Sequence, residues 1–138
     1  MARLLGEKIA TAEPDRQAQV IKLAQLTHAT CLLKGMPTLL TSILGSDCQV
    51  MANTTGSVAL AKGGSGDVLS GVIAGLWAQM GMAEGFSFYT AWKAAVSAVY
   101  LHGLAGQLAA KQKSTYGVLA RDIMGALPQA ILQVQEGE

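Results

Sequence analysis

Gly63, Gly64, Ser65 and Gly66 stand directly before Asp67, and Asp67 opens the apolar run Val68-Leu69-Ser70-Gly71-Val72-Ile73-Ala74-Gly75-Leu76-Trp77. Glycines ahead of such a run make a loop that feeds a helix N-terminus. There the first backbone N–H groups lack partners and the helix dipole is positive. Such a place binds phosphate or stabilises a developing negative charge. Asp67 stands where a carboxylate can take a proton from a hydroxyl held beside that phosphate. The chemistry implied is phosphoryl transfer, and a glycine turn that merely starts a core helix is the plain alternative.

Two further stretches could face this turn. Ala29-Thr30-Cys31-Leu32-Leu33 is short and nearly all apolar, which predicts a strand covered on both faces, as in a parallel sheet. It ends at Lys34-Gly35-Met36-Pro37-Thr38, and ligands bind at the carboxyl ends of such strands. A solvated strand end accounts for Lys34 equally well. Asn53-Thr54-Thr55-Gly56-Ser57 forms a polar loop leading to the glycines. Its amide and hydroxyls either line a site or supply what any loop needs.

The elements that must position these groups follow from pattern. Gly6 stops a short initial helix, and Pro14 suits the first turn of an amphipathic surface helix over residues 15–28, whose role is packing. Residues 38–43 and 48–52 read as a β-hairpin around Leu44-Gly45-Ser46-Asp47. The helix over residues 67–80 is apolar almost all round, which predicts a central, buried element ending at Gly81. Gly71, Ala74, Gly75 and Ala78 give it a flat stripe that another backbone can approach. A second, alanine-rich helix covers residues 86–110, with His102 between Leu101 and Gly103. A lone histidine there is more often packed and hydrogen-bonded than catalytic. Residues 111–115 read as a polar exit loop, residues 121–133 as a last helix containing Pro128, and residues 135–138 as a fraying tail.

The bulk composition narrows the function classes. The chain has 138 residues, enough for one domain. It is 51% hydrophobic and 14% charged, with 10 basic and 9 acidic residues and a net charge of +1. That balance argues against nucleic acid as a partner. Mean hydropathy is positive at +0.35, yet the apolar run of residues 68–82 is interrupted and falls short of the ~20 residues of a membrane span. Cys31 and Cys48 have no disulfide or metal spacing and read as buried thiols of a cytoplasmic protein. No metal-ligand cluster is visible.

Four matching pieces, Leu33-Lys34-Gly35, Asn53-x-Thr55-Gly56, Gly63-Gly64-Ser65-Gly66-Asp67 and Leu101-His102-Gly103-Leu104-Ala105-Gly106, resemble the ADP-dependent NAD(P)H-hydrate dehydratases, repair enzymes of ribokinase-like α/β fold. The resemblance covers nearly the whole chain. It implies a three-layer sandwich with a mainly parallel sheet, a β-hairpin and buried helices. The implied reaction moves a phosphoryl group from ADP (or ATP), with Mg²⁺, onto the C6 hydroxyl of hydrated NADH or NADPH, and phosphate then leaves. On this chain Lys34, Gly35, Met36, Pro37, Thr38 and Gly66 would hold the adenine nucleotide. Gly63, Gly64, Ser65 and Gly66 would form the anion hole. Asp67 would be the base and, with Asn53, contact the hydrated nicotinamide.

The sequence also departs from the family. Ser57-Val58-Ala59 replaces an Asn-Pro-Gly, Lys62 stands where threonine is typical, and Met36-Pro37 replaces smaller residues. Lys62 would either assist the anion or point into solvent. Family members are about twice as long, and the start of this chain resembles the middle of the full domain. The expectation is a single partial domain over residues 1–138 that requires the N-terminal half of the same fold or self-associates as a homo-oligomer. A small-molecule kinase of the same fold, acting on a hydroxymethylpyrimidine- or thiazole-type alcohol, and a non-catalytic nucleotide-binding or assembly subunit are the competing readings.

Overall fold

The structure, a computed structural model, describes residues 2–8, 10–44 and 47–137. A short helix α1 (Ala2–Leu5) is followed by α2 (Glu13–Thr27), then strands β1 (Cys31–Leu33), β2 (Thr38–Leu44) and β3 (Asp47–Asn53). After a 3₁₀ turn at Val58–Leu60 come three long helices, α3 (Ser65–Glu84), α4 (Phe88–Gly117) and α5 (Ala120–Glu136). The apex of the β2–β3 hairpin, Gly45 and Ser46, and the last residue of the expected frayed tail lie outside the described residues.

The sheet is three-stranded and antiparallel throughout, in the order β1-β2-β3. The parallel arrangement expected for β1 is therefore corrected. Only Lys34, Gly35, Met36 and Pro37 separate β1 from β2, whereas a parallel pair needs a crossover of a dozen or more residues. The two-sided covering expected of the sheet does occur. Leu39 and Leu40 are both fully buried, and successive strand residues face opposite sides. Leu39 packs with Val20 and Ala24 of α2, while Leu40 packs with Leu69 of α3 and Ala95, Ala98 and Val99 of α4. The result is three layers: α2, the sheet, then α3 and α4, with α5 packed behind α4 through Ile123, Ala126 and Ala130.

Helix boundaries follow local chemistry. Pro14 lies in the first turn of α2 with Glu13 and Asp15, where acidic side chains suit the dipole. Part of its polar face is covered: Arg16 and Gln19 are buried, whereas Lys22 and Gln25 are exposed. Gln19 donates to the Lys8 carbonyl at 2.7 Å and to Glu7 at 3.2 Å. Ser87 caps α4, accepting from the Thr90 N–H at 3.1 Å while Thr90 Oγ1 accepts from the Ser87 N–H at 2.9 Å. The exit loop expected at residues 111–115 is helical except for Ser114, which leaves helical geometry at φ 62°. Lys111, Gln112 and Lys113 are good helix formers, and Lys113 bonds Asp122 of α5 at 2.8 Å. Asp122 also accepts from the Leu119 N–H at 2.9 Å. α5 runs on to Glu136, past the expected start of fraying, with Gly137 as its left-handed cap.

The central helix is α4, not α3. Of α3 only Ser65, Leu69 and Gly81 are buried, although its only acidic or basic residues are Asp67 and Glu84. It also continues past Gly81 and ends at Gly85. Gly71, Ala74, Gly75 and Ala78 face outward, and nothing lies within 4 Å of where a Cβ at Gly71 or Gly75 would stand. The small-residue stripe is an open face.

Since Leu40 joins the sheet to both inner helices, Leu40→Ala is expected to lower unfolding free energy by about 2–5 kcal/mol. Urea unfolding measures it, and an unchanged midpoint would contradict this packing.

Candidate functional site

Register brings the first two loops together. Thr38, the first residue of β2, pairs with Asn53, the last of β3. The Lys34–Thr38 and Asn53–Ser57 segments therefore leave the same end of the sheet side by side. The first loop is closed by Thr38 Oγ1, which donates to the Gly35 carbonyl at 3.0 Å, and it contains a cis Met36–Pro37 bond. Its underside rests on Arg16, whose Nη2 donates to the Pro37 carbonyl at 2.8 Å.

The second loop is fastened to α4. Asn53 Nδ2 donates to the Thr55 hydroxyl at 2.9 Å, and that hydroxyl lies 3.1 Å from the Tyr100 carbonyl, to which it donates. A Cβ on Gly103 would collide with Thr55, and one on Gly106 with Leu60. Gln107 Nε2 donates to the Gly56 carbonyl at 3.1 Å. Thus two glycines three residues apart, on one helix face, admit the loop directly against the α4 backbone. Ser57 then caps the 3₁₀ turn by accepting from the Ala59 N–H at 3.1 Å.

The glycine turn is fastened to α4 as well. Gly64 caps α3 at φ 81°, a left-handed conformation that favours glycine. Ser65 is fully buried, and its N–H donates to the Lys62 carbonyl at 3.3 Å. Its carbonyl and hydroxyl lie 2.9 Å and 3.2 Å from His102 Nε2. A carbonyl only accepts, so His102 carries its proton on Nε2 and donates it to Ser65. Burial holds the His102 pKa below its ordinary value, the hydrogen bond to Ser65 opposes that, and the nearby Lys34 charge adds to the lowering. His102 is thus the packed, hydrogen-bonded histidine its sequence context suggests, and it also lines the cavity. With the Ser65 amide engaged, Gly66 and Asp67 are the first-turn residues whose N–H groups point out of the helix end.

These pieces enclose a cavity of about 450 Å³, within the size range of small-molecule sites. Lys34, Gly35, Met36 and Thr38 line one side and Asn53, Thr55, Gly56 and Ser57 the other, with Val58, Leu60, Leu69, Val99 and His102 forming the floor and back. Lys34 Nζ lies 3.6 Å from where a Cβ on Gly66 would stand. Among the described residues Lys34 forms no ion pair. An unpaired ammonium beside a helix N-terminus is an anion-attracting corner. Asp67 is exposed in the first turn of α3 and is not part of the cavity lining; neither are Pro37, Gly63, Gly64, Ser65 and Gly66. Lys62 neither faces this corner nor extends freely into solvent: its Nζ donates to the Tyr116 carbonyl at 3.3 Å, near the end of α4.

The sequence reading missed Arg16 and Gln107, and it named Thr55, Gly103 and Gly106 as parts of motifs without the docking of the loop on the two glycines. The spacing of Gly103 and Gly106 was the visible signal for that docking, while nothing in the pattern of α2 marks Arg16.

An α/β layer with an apolar cavity, a free lysine and a helix N-terminus at its rim defines a cleft for an anionic small molecule. Comparison with known proteins narrows this. Residues 1–129 match the family model described as NAD(P)H-hydrate dehydratase, and the chain belongs to that family. A bifunctional NAD(P)H-hydrate repair enzyme of Moorella thermoacetica is 40% identical over 136 residues, covering 99% of this chain and 24% of that protein. An ADP-dependent (S)-NAD(P)H-hydrate dehydratase of Neisseria meningitidis serogroup B is 36% identical over 129 residues, covering 94% and 39%. Among solved structures, an ADP/ATP-dependent NAD(P)H-hydrate dehydratase from Bacillus subtilis, co-crystallised with ATP/Mg²⁺, superposes with a TM-score of 0.71 at 29% identity. The match covers 88% of this chain and 40% of that one. The chain thus spans well under half the length of these relatives.

The depressed His102 pKa has a defined consequence. Unfolding lets the ring bind a proton below its ordinary value of 6.5, so its contribution to stability is present above that pH. It is lost as pH falls through the depressed folded value. His102→Gln is expected to flatten the acid side of the stability profile in that window. Denaturant midpoints across the range measure this, and parallel profiles for both proteins would contradict it.

Proposed function

We propose that the chain carries the nucleotide and phosphoryl-transfer part of an ADP-dependent NAD(P)H-hydrate dehydratase, as a single partial domain of ribokinase-like fold. The observation that carries the reading is the unpaired Lys34 ammonium held against Gly66 at the N-terminus of α3, at the rim of the apolar cavity.

In this reading the adenosine of ADP, or of ATP, occupies the cavity. Lys34, Gly35, Met36, Pro37 and Thr38 hold its ribose and phosphate side together with Gly66. The turn of Gly63, Gly64, Ser65 and Gly66 presents the positive helix end to the transferring phosphoryl group, where electrostatic positioning does most of the catalysis. The free amides of Gly66 and Asp67 are its donors. Asp67, outside the cavity and exposed, faces the side from which hydrated NADH or NADPH would approach, and Asn53 would contact it from the cavity wall. Asp67 accepts the proton of the C6 hydroxyl as that oxygen attacks phosphorus and the bond to the departing AMP breaks. Phosphate then leaves with the C6–O bonding pair, a neighbouring ring proton is lost, and the dihydronicotinamide double bond is restored. The cavity lining contains no carboxylate, and no group of three or more His, Cys, Asp or Glu that could hold a metal occurs among the described residues. Mg²⁺ in this reading arrives on the nucleotide phosphates, and no step is assigned to it.

The remaining binding wall comes from the N-terminal half of the same fold, or from further copies of this chain. The open face of α3 supports this: an apolar helix is stable in water when such a face is covered. The two thiols are free, and no helix among the described residues is long and apolar enough to cross a membrane. Free thiols fit a reducing, cytoplasmic setting. A non-catalytic nucleotide-binding subunit is the second reading, favoured by the position of Asp67 outside the cavity.

Two measurements test the proposal. ADP and hydrated NADH are mixed with the chain, with and without the N-terminal half, and dihydronicotinamide absorbance is followed. Turnover is expected with both halves. Asp67→Asn should lower it by about 10²–10⁴ with ADP binding retained, and Lys34→Met should weaken ADP by roughly tenfold or more. ADP binding without turnover in any combination favours the non-catalytic reading. In sedimentation the chain alone is expected to self-associate, and a monodisperse monomer that binds no partner would contradict the partial-domain reading.

A further inference from the structure

We infer that Arg16 is a positioning residue for the nucleotide, acting through the loop that carries Lys34; the inference rests on the nucleotide reading of the cavity. Arg16 lies in the first half of α2, 21 residues before Pro37 in the chain. Its side chain is only 11% exposed, and it is not part of the cavity lining. One arm of the guanidinium donates to the Pro37 carbonyl at 2.8 Å, and the other meets Glu13 Oε2 at 3.2 Å. The same group fills the space that a side chain on Gly35 would need. Arg16 therefore touches the loop on both sides of Met36, while Thr38 closes it from within through the Gly35 carbonyl.

This arrangement separates two roles for positive charge. Lys34 is unpaired and lies by the glycine turn, so it is the group available to an anion. Arg16 is paired with Glu13 and turned into the layer between α2 and the loop, so its charge is largely cancelled at the cavity. What it supplies is the shape of the Gly35–Pro37 backbone, and through it the direction in which Lys34 leaves β1. The two partners lie on different nitrogens of one planar group. Lysine offers a single ammonium and cannot reproduce that fork. A hydrogen bond from a charged group in a nearly buried place has the strength to matter here, and its loss frees the loop at an affinity cost of about tenfold.

The test uses Arg16→Lys and Arg16→Met in the full chain, with ADP titrated calorimetrically. Arg16→Lys keeps the charge and the aliphatic stem, so it retains the packing of α2 if Arg16→Met does not fold. The inference expects both folded variants to bind ADP about tenfold more weakly. It also expects faster amide exchange confined to the Lys34–Thr38 loop, and an unchanged affinity for the hydrated nucleotide where the partner half is present. Glu13→Gln, which keeps the Pro37 contact, should bind ADP like the wild type. Wild-type ADP affinity in Arg16→Lys overturns the inference, as does a loss shared equally by ADP and the hydrated substrate. Failure of the wild-type chain itself to bind ADP overturns the nucleotide reading and this inference with it.

Discussion

The seating of one loop directly on the backbone of α4, and of the glycine turn on the His102 side chain of the same helix, is the constraint on which the site depends. Gly103 and Gly106 leave no side chain between the helix and residues Thr55 and Leu60, while His102 holds Ser65 at the start of α3. Three neighbouring positions of one helix therefore set the height of the Asn53–Ser57 loop and the glycine turn against each other. A methyl group at Gly103 would meet the Thr55 backbone and lift the loop, and one at Gly106 would displace the Leu60 side chain. Because short or buried side chains make these contacts against a bare stretch of helix backbone, the spacing between the loops has little freedom to drift.

The sheet supplies the second fixed distance. Its register places Thr38 opposite Asn53, so the lysine loop and the asparagine loop begin as neighbours. Leu39 and Leu40 anchor this strand into opposite layers, which ties α2 and its buried Arg16 to the same frame as α3 and α4. The charge pattern follows from the frame. Lys34 stands free beside the helix end, whereas Arg16 and Lys62 are engaged with backbone carbonyls. Of these three cations only Lys34 is left for an anion.

Much of this was legible from residue order. Apolar periodicity revealed the helices, the hairpin pairing followed from composition, and the glycine turn before Asp67 marked the helix N-terminus that faces Lys34. Strand direction was misread: an apolar strand looks the same in either sense, and the four-residue connection that decides it was weighed only as a ligand loop. α3 was misread as buried, since its composition describes the cover it needs and not the cover it has here. The amphipathic pattern of α2 marks Arg16 and Gln19 only as polar positions, because pattern scores side-chain type and not the partners a side chain meets. Both are buried because carbonyls of distant loops happen to meet their polar ends. Asp67 lies at the expected place in the chain, yet outside the cavity shared by Lys34 and Asn53.

The central claim is that α4, with the sheet register and Arg16 of α2, sets the asparagine loop, the glycine turn and the lysine loop around one nucleotide. Backbone amide shifts of the isotope-labelled chain titrated with ADP test it most directly. The account predicts concerted shifts in Lys34–Thr38, in Asn53–Ser57 and in Gly63–Asp67, saturating at a single ADP concentration. Shifts confined to one loop, or centred on α1 or the exposed face of α5, would contradict it.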